Sequence, residues 1–167
     1  VSKAFRRALD LMELDNNPGV DVTIDGELPL GVGLGSSAAF SVSLIRGLAD
    51  YCGVRLTDEK LRRHAHELES IFHGNSSGLD HSVIIQNECL RFHPHKPPQF
   101  QPVKIGIGLP LVVAWTPRFG TTKDAVAHVA ALAQAQRALC DQIFDTIESV
   151  VNLSCDALKE GDFTAIG

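Results

Sequence analysis

A glycine-rich loop that leads directly into a predicted helix is the feature that most constrains the fold. Three glycines alternate with other residues between Pro29 and Gly35, and Ser36 opens a run of small and apolar residues that continues to Tyr51. Alternating glycines allow positive φ angles and a close approach of the backbone to a ligand. The first N–H groups of the helix lack intrahelical partners, and with the helix dipole they suit a phosphate. On physical grounds alone, a flexible turn capped by serine is the alternative.

Three common catalytic or nucleotide-binding loops do not match this segment. No lysine follows Gly35, so it is not a Walker loop. The Gly-x-Gly-x-Gly spacing also differs from the Gly-x-Gly-x-x-Gly of dinucleotide-binding folds. A Ser-His-Asp hydrolase would need a Gly-x-Ser-x-Gly elbow between a strand and a helix, and the one match to that spacing, Gly74 to Gly78, follows a predicted helix instead.

Two carboxylates flank a second turn rich in glycine and serine, between His73 and Gly78. Glu69 lies on the flank of a predicted helix, beside its apolar stripe, and Asp80 opens the next element. Phosphoryl transfer to an alcohol uses one carboxylate to hold Mg²⁺ and another to orient the attacking hydroxyl or to accept its proton. Taken singly, each acid could equally be a solvated surface charge.

Composition excludes several other functions. The 167 residues carry a formal charge of −5 and no basic cluster, so we expect no nucleic-acid partner. No apolar run approaches the roughly 20 residues that span a bilayer, so we expect no membrane partner. The four cysteines are far apart, which predicts reduced thiols and a cytoplasmic protein. The seven histidines form no cluster that would hold zinc.

Helical and strand patterns alternate along the chain, which predicts an α+β or α/β protein. Helices are expected at residues 4–14, 36–51, 80–86 and 122–133, with one or two more over 134–159. A further helix is expected to be capped by Thr57 or Asp58 and to be broken by the turn from His73 to Gly78. Strands are expected at 20–25, 88–93 and 109–116, and an exposed loop at 93–98. Because the sequence has no initiator Met and ends in the beginning of another helix pattern, we expect it to be an internal piece of a longer chain.

The first loop resembles the phosphate-binding motif of the GHMP kinases, Pro-x-x-x-Gly-Leu-Gly-Ser-Ser-Ala-Ala. The second turn, from His73 to Asp80, resembles the mevalonate kinase version of the next motif, except that Ser76 replaces the usual proline. A third segment, around Gly120 to Val126, is similar to one in bacterial-type mevalonate kinases. The resemblance covers nearly the whole chain. It implies the GHMP kinase fold, with part of a ribosomal protein S5 domain 2-like N-terminal domain over residues 1–104 and the start of a ferredoxin-like domain over 105–167.

The resemblance also implies roles for particular residues. Asp80 matches the catalytic acid/base, while Ser37 and Glu69 match the ligands of Mg²⁺. His73, Gly78 and Thr122 match residues at the substrate. The residues that match the family's ATP-binding positions are Gly31, Gly33, Leu34, Gly35, Ser36, Ser37 and Ala38.

The activity implied is ATP-dependent phosphorylation of the primary hydroxyl of mevalonate. Two alternatives stay open: a family member for another small alcohol (phosphomevalonate, a sugar or homoserine), and a non-catalytic relative that binds ATP or a metabolite. The family's N-terminal lysine and C-terminal glycine-rich motif are not in this sequence, so the piece alone is not required to be active. A homodimer is expected only by analogy with such families.

Overall fold

Helices dominate the structure, a computed structural model that describes residues 1–14, 19–29, 31–74, 76–94, 97–106, 108–114 and 122–166, without the side chains of residues 122 and 123. The elements, in chain order, are α1 (Ser2–Leu11), α2 (Ser36–Tyr51), α3 (Asp58–His73), α4 (Leu79–Gln86), β1 (Leu90–His93), β2 (Gln99–Pro102), α5 (Thr122–Ala135), α6 (Arg137–Glu160) and α7 (Phe163–Ile166). This mixture of helices and strands confirms the predicted α+β class. The chain divides into an N-terminal unit, Val1–Asn87, and a C-terminal unit, Glu88–Gly167. The predicted domains, 1–104 and 105–167, are divisions of the family fold and stay a prediction.

The core of the N-terminal unit lies between its four helices. α2 packs against α1, α3 and α4, and α3 also contacts α1 and α4. Buried apolar residues recur at intervals of three and four along α2 and α3, as an amphipathic helix requires. They form one cluster with residues from α1 and α4: Ala8, Leu9, Val42, Leu44, Ile45, Leu48, Leu61, Ala65, Leu68 and Ile85. Each large side chain buried here contributes about 1.5–3 kcal/mol relative to exposure.

Local signals fix the ends of α3 and α4. Thr57 caps α3, because its Oγ1 accepts a hydrogen bond from the Lys60 N–H at 3.3 Å. α3 ends at Gly74 and α4 begins after Gly78, and both glycines have positive φ. The connection between α3 and α4 is therefore short and bounded by these two glycines; residue 75 lies outside the described part.

The C-terminal unit contains an antiparallel hairpin and three helices. Leu90 pairs with Pro102 and Phe92 with Phe100, whose ring centroids lie 5.4 Å apart. α5 and α7 both contact the long helix α6. The Gly106 N–H donates to the Leu158 carbonyl near the end of α6 at 2.9 Å. This bond ties the segment after the hairpin to α6.

Two predicted strands are not strands in the structure. Residues 20–25 are irregular and largely exposed, and so is the described part of 109–116, where Val112 is 98% exposed. A strand needs a neighbour to pair its N–H and C=O groups, and in the described part of the chain only β1 and β2 pair. Neither the alternation of apolar and polar residues at 20–25 nor the continuous apolar run within 109–116 was therefore sufficient to predict a strand.

The predicted helices are all present. α2 has the predicted ends, whereas the ends of α1, α4, α5 and α6 are shifted. α1 ends at Leu11, three residues early, because Glu13 takes a positive φ. The predicted loop at 93–98 overlaps β1 at its first residue, His93, and residues 95 and 96 lie outside the described part. β2 follows this loop, and the sequence did not predict that strand.

No described helix is long and apolar enough to cross a membrane. All four cysteines are free thiols.

Candidate functional site

The glycine loop takes the conformation that its sequence predicts. Gly31, Gly33 and Gly35 have φ angles of 75°, 83° and 71°, in the left-handed region that favours glycine. A Cβ on Gly31 or Gly35 would meet nothing within 4 Å, so the glycines are required by backbone strain and not by crowding. Leu34, between two of them, is 39% exposed. The loop is thus open to a ligand.

The N-terminus of α2 offers donors at the end of this loop. Gly35 is the N-cap residue and provides no side-chain cap. The first intrahelical bond runs from the Ala39 N–H to the Gly35 carbonyl at 2.9 Å. The N–H groups of Ser36, Ser37 and Ala38 precede that bond and have no acceptor within the helix. Such a helix start is suited to an anion.

A groove of about 1010 Å³ opens beside the same loop. Its lining combines Gly31, Ser36 and Ser37 with apolar side chains that include Phe40 and Phe72. The two phenylalanine rings meet edge to face, with centroids 5.9 Å apart. Polar loop atoms next to an apolar wall suit a ligand that has a phosphate end and a flat, weakly polar ring.

Glu69 is a buried carboxylate that reaches the start of α2 from α3. It is 1% exposed. The Ser41 hydroxyl donates to Oε1 at 2.9 Å, and the Ser37 hydroxyl donates to Oε2 at 3.1 Å. His73 Nε2 lies 2.9 Å from Ser37 Oγ and 3.8 Å from Glu69 Oε2. The structure therefore brings Ser37 and Glu69, which the resemblance pairs at Mg²⁺, together with His73, which it assigns to the substrate.

The charge of Glu69 favours a cation at this position. Burying a carboxylate is costly unless charge or hydrogen bonds compensate it. The hydroxyls of Ser37 and Ser41 supply hydrogen bonds to Glu69. In the described part of the chain, the basic group beside Glu69 is His73, whose side chain is 37% exposed. A carboxylate and a hydroxyl are oxygen donors of the kind that Mg²⁺ prefers. Glu69 and Ser37 thus fit the ion that the family resemblance implies.

The same three residues do not form a hydrolase relay. In a Ser-His-acid relay, the acid holds one ring nitrogen while the other faces the serine. Here, both Ser37 Oγ and the Glu69 carboxylate face Nε2 of His73. The carboxylate therefore cannot orient the ring from Nδ1.

Asp80 lies in the first turn of α4 and is exposed. The positive end of the helix dipole stabilises a carboxylate at such a position. No hydrogen bond or ion pair joins Asp80 to Ser37, Glu69 or His73 in the described residues. Gly78, which precedes it, is buried with φ 88°. Ser76, which replaces the usual proline, accepts a hydrogen bond from the Gly78 N–H at 3.3 Å and so holds the turn in another way.

A histidine pair beneath the Gly78 turn was missed from the sequence. His81 is 1% exposed, and its ring lies 5.5 Å from that of His66, edge to face. Burial first, and then the charges of His66 and Arg62, lower the pKa of His81 to about 4. Only tertiary packing reveals this, because His81 is adjacent to Asp80 in a helix too short to have a clear polar and apolar face.

Ser41 was also missed, although a signal for it exists. Ser37 and Ser41 are four residues apart on α2 and therefore share a face. Thr122, predicted to lie at the substrate, begins α5, but its side chain is outside the described part of the structure.

Comparisons with known proteins agree with these features. The family model of the GHMP kinases N terminal domain matches residues 1–87. The mevalonate kinase of Pyrococcus horikoshii is 33% identical over 144 residues, which cover 86% of this chain and 42% of that protein. That of Thermococcus sibiricus is 30% identical over 169 residues, which cover 97% of this chain and 50% of that protein. The chain thus spans about half the length of these relatives.

A solved structure supports the fold. The crystal structure of L. major mevalonate kinase in complex with R-mevalonate matches 99% of this chain and 51% of its own, with a TM-score of 0.74 and 23% sequence identity. The fold is therefore that of a GHMP kinase. Together with the family match over residues 1–87, this similarity leads to one conclusion: the chain belongs to the GHMP kinase family.

Proposed function

We propose that this chain is part of a kinase that transfers the γ-phosphoryl group of ATP to the primary hydroxyl of mevalonate and so makes 5-phosphomevalonate, an isoprenoid precursor. One observation carries the proposal: the buried Glu69 carboxylate meets the Ser37 hydroxyl at the start of α2, where the glycine loop ends. An anion site and a cation site therefore adjoin, as Mg-ATP requires. The relatives named as mevalonate kinases motivate the choice of substrate.

The glycine loop binds the phosphates in this proposal. The N–H groups at the start of α2 donate to phosphate oxygens, and Gly31, Gly33 and Gly35 let the backbone approach them. Leu34 and Ala38 flank these donors. The neighbouring apolar groove, with Phe40 and Phe72 in its wall, receives the adenine ring.

Ser37 and Glu69 would hold Mg²⁺ through their oxygens. When bound, the ion neutralises charge on the phosphates. His73 now lies within hydrogen-bond distance of Ser37 Oγ. It is a neutral or positive neighbour at the edge of the same site, from which it can contact the substrate.

Asp80 accepts the proton of the attacking hydroxyl. The alcohol oxygen forms a bond to the γ-phosphorus, the bond from that phosphorus to the β-bridging oxygen breaks, and ADP leaves with the electron pair. Asp80 is exposed at a helix N-terminus and so is accessible to a substrate hydroxyl. Gly78 and Thr122 contact the substrate in this proposal.

The test is ADP release by a full-length kinase that contains this chain, supplied with Mg-ATP and with mevalonate, phosphomevalonate, homoserine or galactose in turn. We expect turnover with mevalonate, and we expect Asp80→Asn to lower kcat by about 10²–10⁴-fold with little change in ATP affinity. Turnover with another alcohol would replace the substrate and keep the chemistry. ATP binding without turnover on any of them would favour a non-catalytic binding protein. Full turnover by the Asp80→Asn variant would refute the role of Asp80.

A further inference from the structure

We infer that Ser41 is a positioning residue that fixes the orientation of the Glu69 carboxylate for metal binding. This rests on the proposed function, because Glu69 is a ligand of Mg²⁺ only in that proposal. Ser41 is 0% exposed and lies one helical turn after Ser37 on α2. It therefore cannot contact a nucleotide or substrate itself, and its effect must pass through Glu69.

The hydrogen bonds give the two oxygens of Glu69 different surroundings. Oε1 accepts from the fully buried Ser41 at 2.9 Å. Oε2 faces two partly exposed groups, the Ser37 hydroxyl at 3.1 Å and His73 Nε2 at 3.8 Å. Ser41 thus holds the inner oxygen, and the outer oxygen is directed to the side from which a cation can enter.

In the described residues, the Ser41 hydroxyl, like that of Ser37, donates to another helix and not to its own. Ser70, Thr146 and Ser149 each donate to the carbonyl four residues earlier in their own helix. A buried serine in a helix commonly does the same. Ser41 instead donates to a residue 28 positions away on another helix. Its hydroxyl is used for a contact between α2 and α3 that ends on the carboxylate.

Removal of this hydroxyl should loosen the carboxylate. The terminal torsion of a glutamate is broad, so packing and hydrogen bonds must select its orientation. In the Ser41→Ala variant, Oε1 loses the donor that holds it, and the carboxylate can turn away from Ser37. Loss of such an outer partner of a metal ligand commonly weakens metal affinity by about 10- to 100-fold.

The chain offers a matched control in Ser82. It is also a serine at 0% exposure in a helix of the N-terminal unit, and its hydroxyl has no hydrogen-bond partner in the described residues. Ser82→Ala removes the same atom from an equally buried position without touching Glu69. A difference between the two alanine variants therefore reports the Ser41–Glu69 bond and not the loss of a buried hydroxyl in general.

The experiment measures the affinity of a full-length kinase containing this chain for a fluorescent ATP analogue at increasing Mg²⁺ concentration, with no alcohol present. We expect Mg²⁺ to strengthen binding in the wild type and in Ser82→Ala, and Glu69→Gln to abolish this enhancement. In Ser41→Ala, the Mg²⁺ concentration that gives half of the enhancement should rise about tenfold, while the affinity without Mg²⁺ stays unchanged. A purely structural role for Ser41 would instead weaken nucleotide binding with and without Mg²⁺.

Each result decides the matter. If Ser41→Ala follows the wild-type Mg²⁺ curve while Glu69→Gln does not, Ser41 has no positioning role and the proposed function is untouched. If the wild type shows no Mg²⁺ enhancement, or Glu69→Gln keeps it, the metal site in the proposed function is wrong and the inference fails with it. Should Ser41→Ala not fold, Ser41→Cys carries the test, because its thiol is a weaker donor of similar size. The Mg²⁺ concentration that gives half of the enhancement must be higher in Ser41→Cys than in the wild type, and an equal concentration overturns the inference.

Discussion

The two units of this chain use similar apolar helices to different effect. In the N-terminal unit, α2 and α3 bury their apolar residues against each other and against α1 and α4. In the C-terminal unit, α6 leaves much of its apolar surface exposed, including Ile143, Phe144, Ile147 and Val150. An apolar pattern alone therefore does not determine burial. The N-terminal unit has the complementary helices that convert the pattern into a core, and the Ser37–Glu69 site is supported by that core.

The comparison is tested most strongly by one leucine from each unit. Leu68 on α3 is 0% exposed and Leu153 on α6 is 71% exposed. We expect Leu68→Ala to lower the free energy of unfolding by about 2–5 kcal/mol, because it leaves a cavity in a packed core. Leu153→Ala should change it by less than about 0.5 kcal/mol. Urea denaturation followed by circular dichroism measures both, and equal losses would contradict the difference between the units.

Acid should destabilise the N-terminal unit through His81. Its pKa is lowered to about 4 in the folded state, by burial first and then by the charges of His66 and Arg62, while the unfolded chain has the ordinary value of 6.5. Between these two values the unfolded state binds more protons, so stability falls as the pH drops from about 6.5 to about 4. The full effect is on the order of 3 kcal/mol. Burial also lowers the pKa of His64, which adds a loss of the same sign.

The His81→Gln variant isolates this contribution. Its free energy of unfolding, measured from pH 7 to pH 4, should fall less steeply than that of the wild type. His128→Gln is the matched control, because His128 is exposed on α5, and its curve should follow the wild type. An unchanged slope in His81→Gln would show that the pKa of His81 does not differ between the folded and the unfolded chain.

The sequence predicted what depends on neighbours along the chain and missed what depends on neighbours in space. The bounds of α2 were predicted to the residue, and Thr57 is one of the two caps predicted for α3, because helical spacing and caps are local. The strand expected at 20–25 needs a partner strand, which no local pattern supplies. In the site, the motifs identified Glu69, but the bond from Ser41 and the contact of His73 with Ser37 join different helices. Such contacts follow from packing, which the spacing of residues does not encode.

Part of the C-terminal unit is closely packed around Gly106, and a substitution of this glycine tests the packing. A Cβ built on Gly106 would lie 2.5 Å from the Lys159 carbonyl oxygen, in the backbone at the end of α6. Backbone cannot move aside cheaply, so Gly106→Ala should lower the free energy of unfolding by about 1–3 kcal/mol. Gly108 has open space around a built Cβ, and Gly108→Ala should have little effect. Equal urea midpoints for the two variants would indicate that α6 does not pack here as described.

The smallest expected effect belongs to the two buried serines of the N-terminal unit. Ser82 buries a hydroxyl that has no hydrogen-bond partner in the described residues, and an unpaired buried hydroxyl is unfavourable. Ser82→Ala removes that group, so we expect the free energy of unfolding to stay level or to rise by up to about 1 kcal/mol. Ser41→Ala should lower it by about 1 kcal/mol, because the buried Glu69 carboxylate loses a donor. Urea denaturation of both variants gives the sign of the change in the free energy of unfolding. A loss of stability in Ser82→Ala would mean that the Ser82 hydroxyl has a hydrogen-bond partner in solution. The contrast between two serines of equal burial would then disappear.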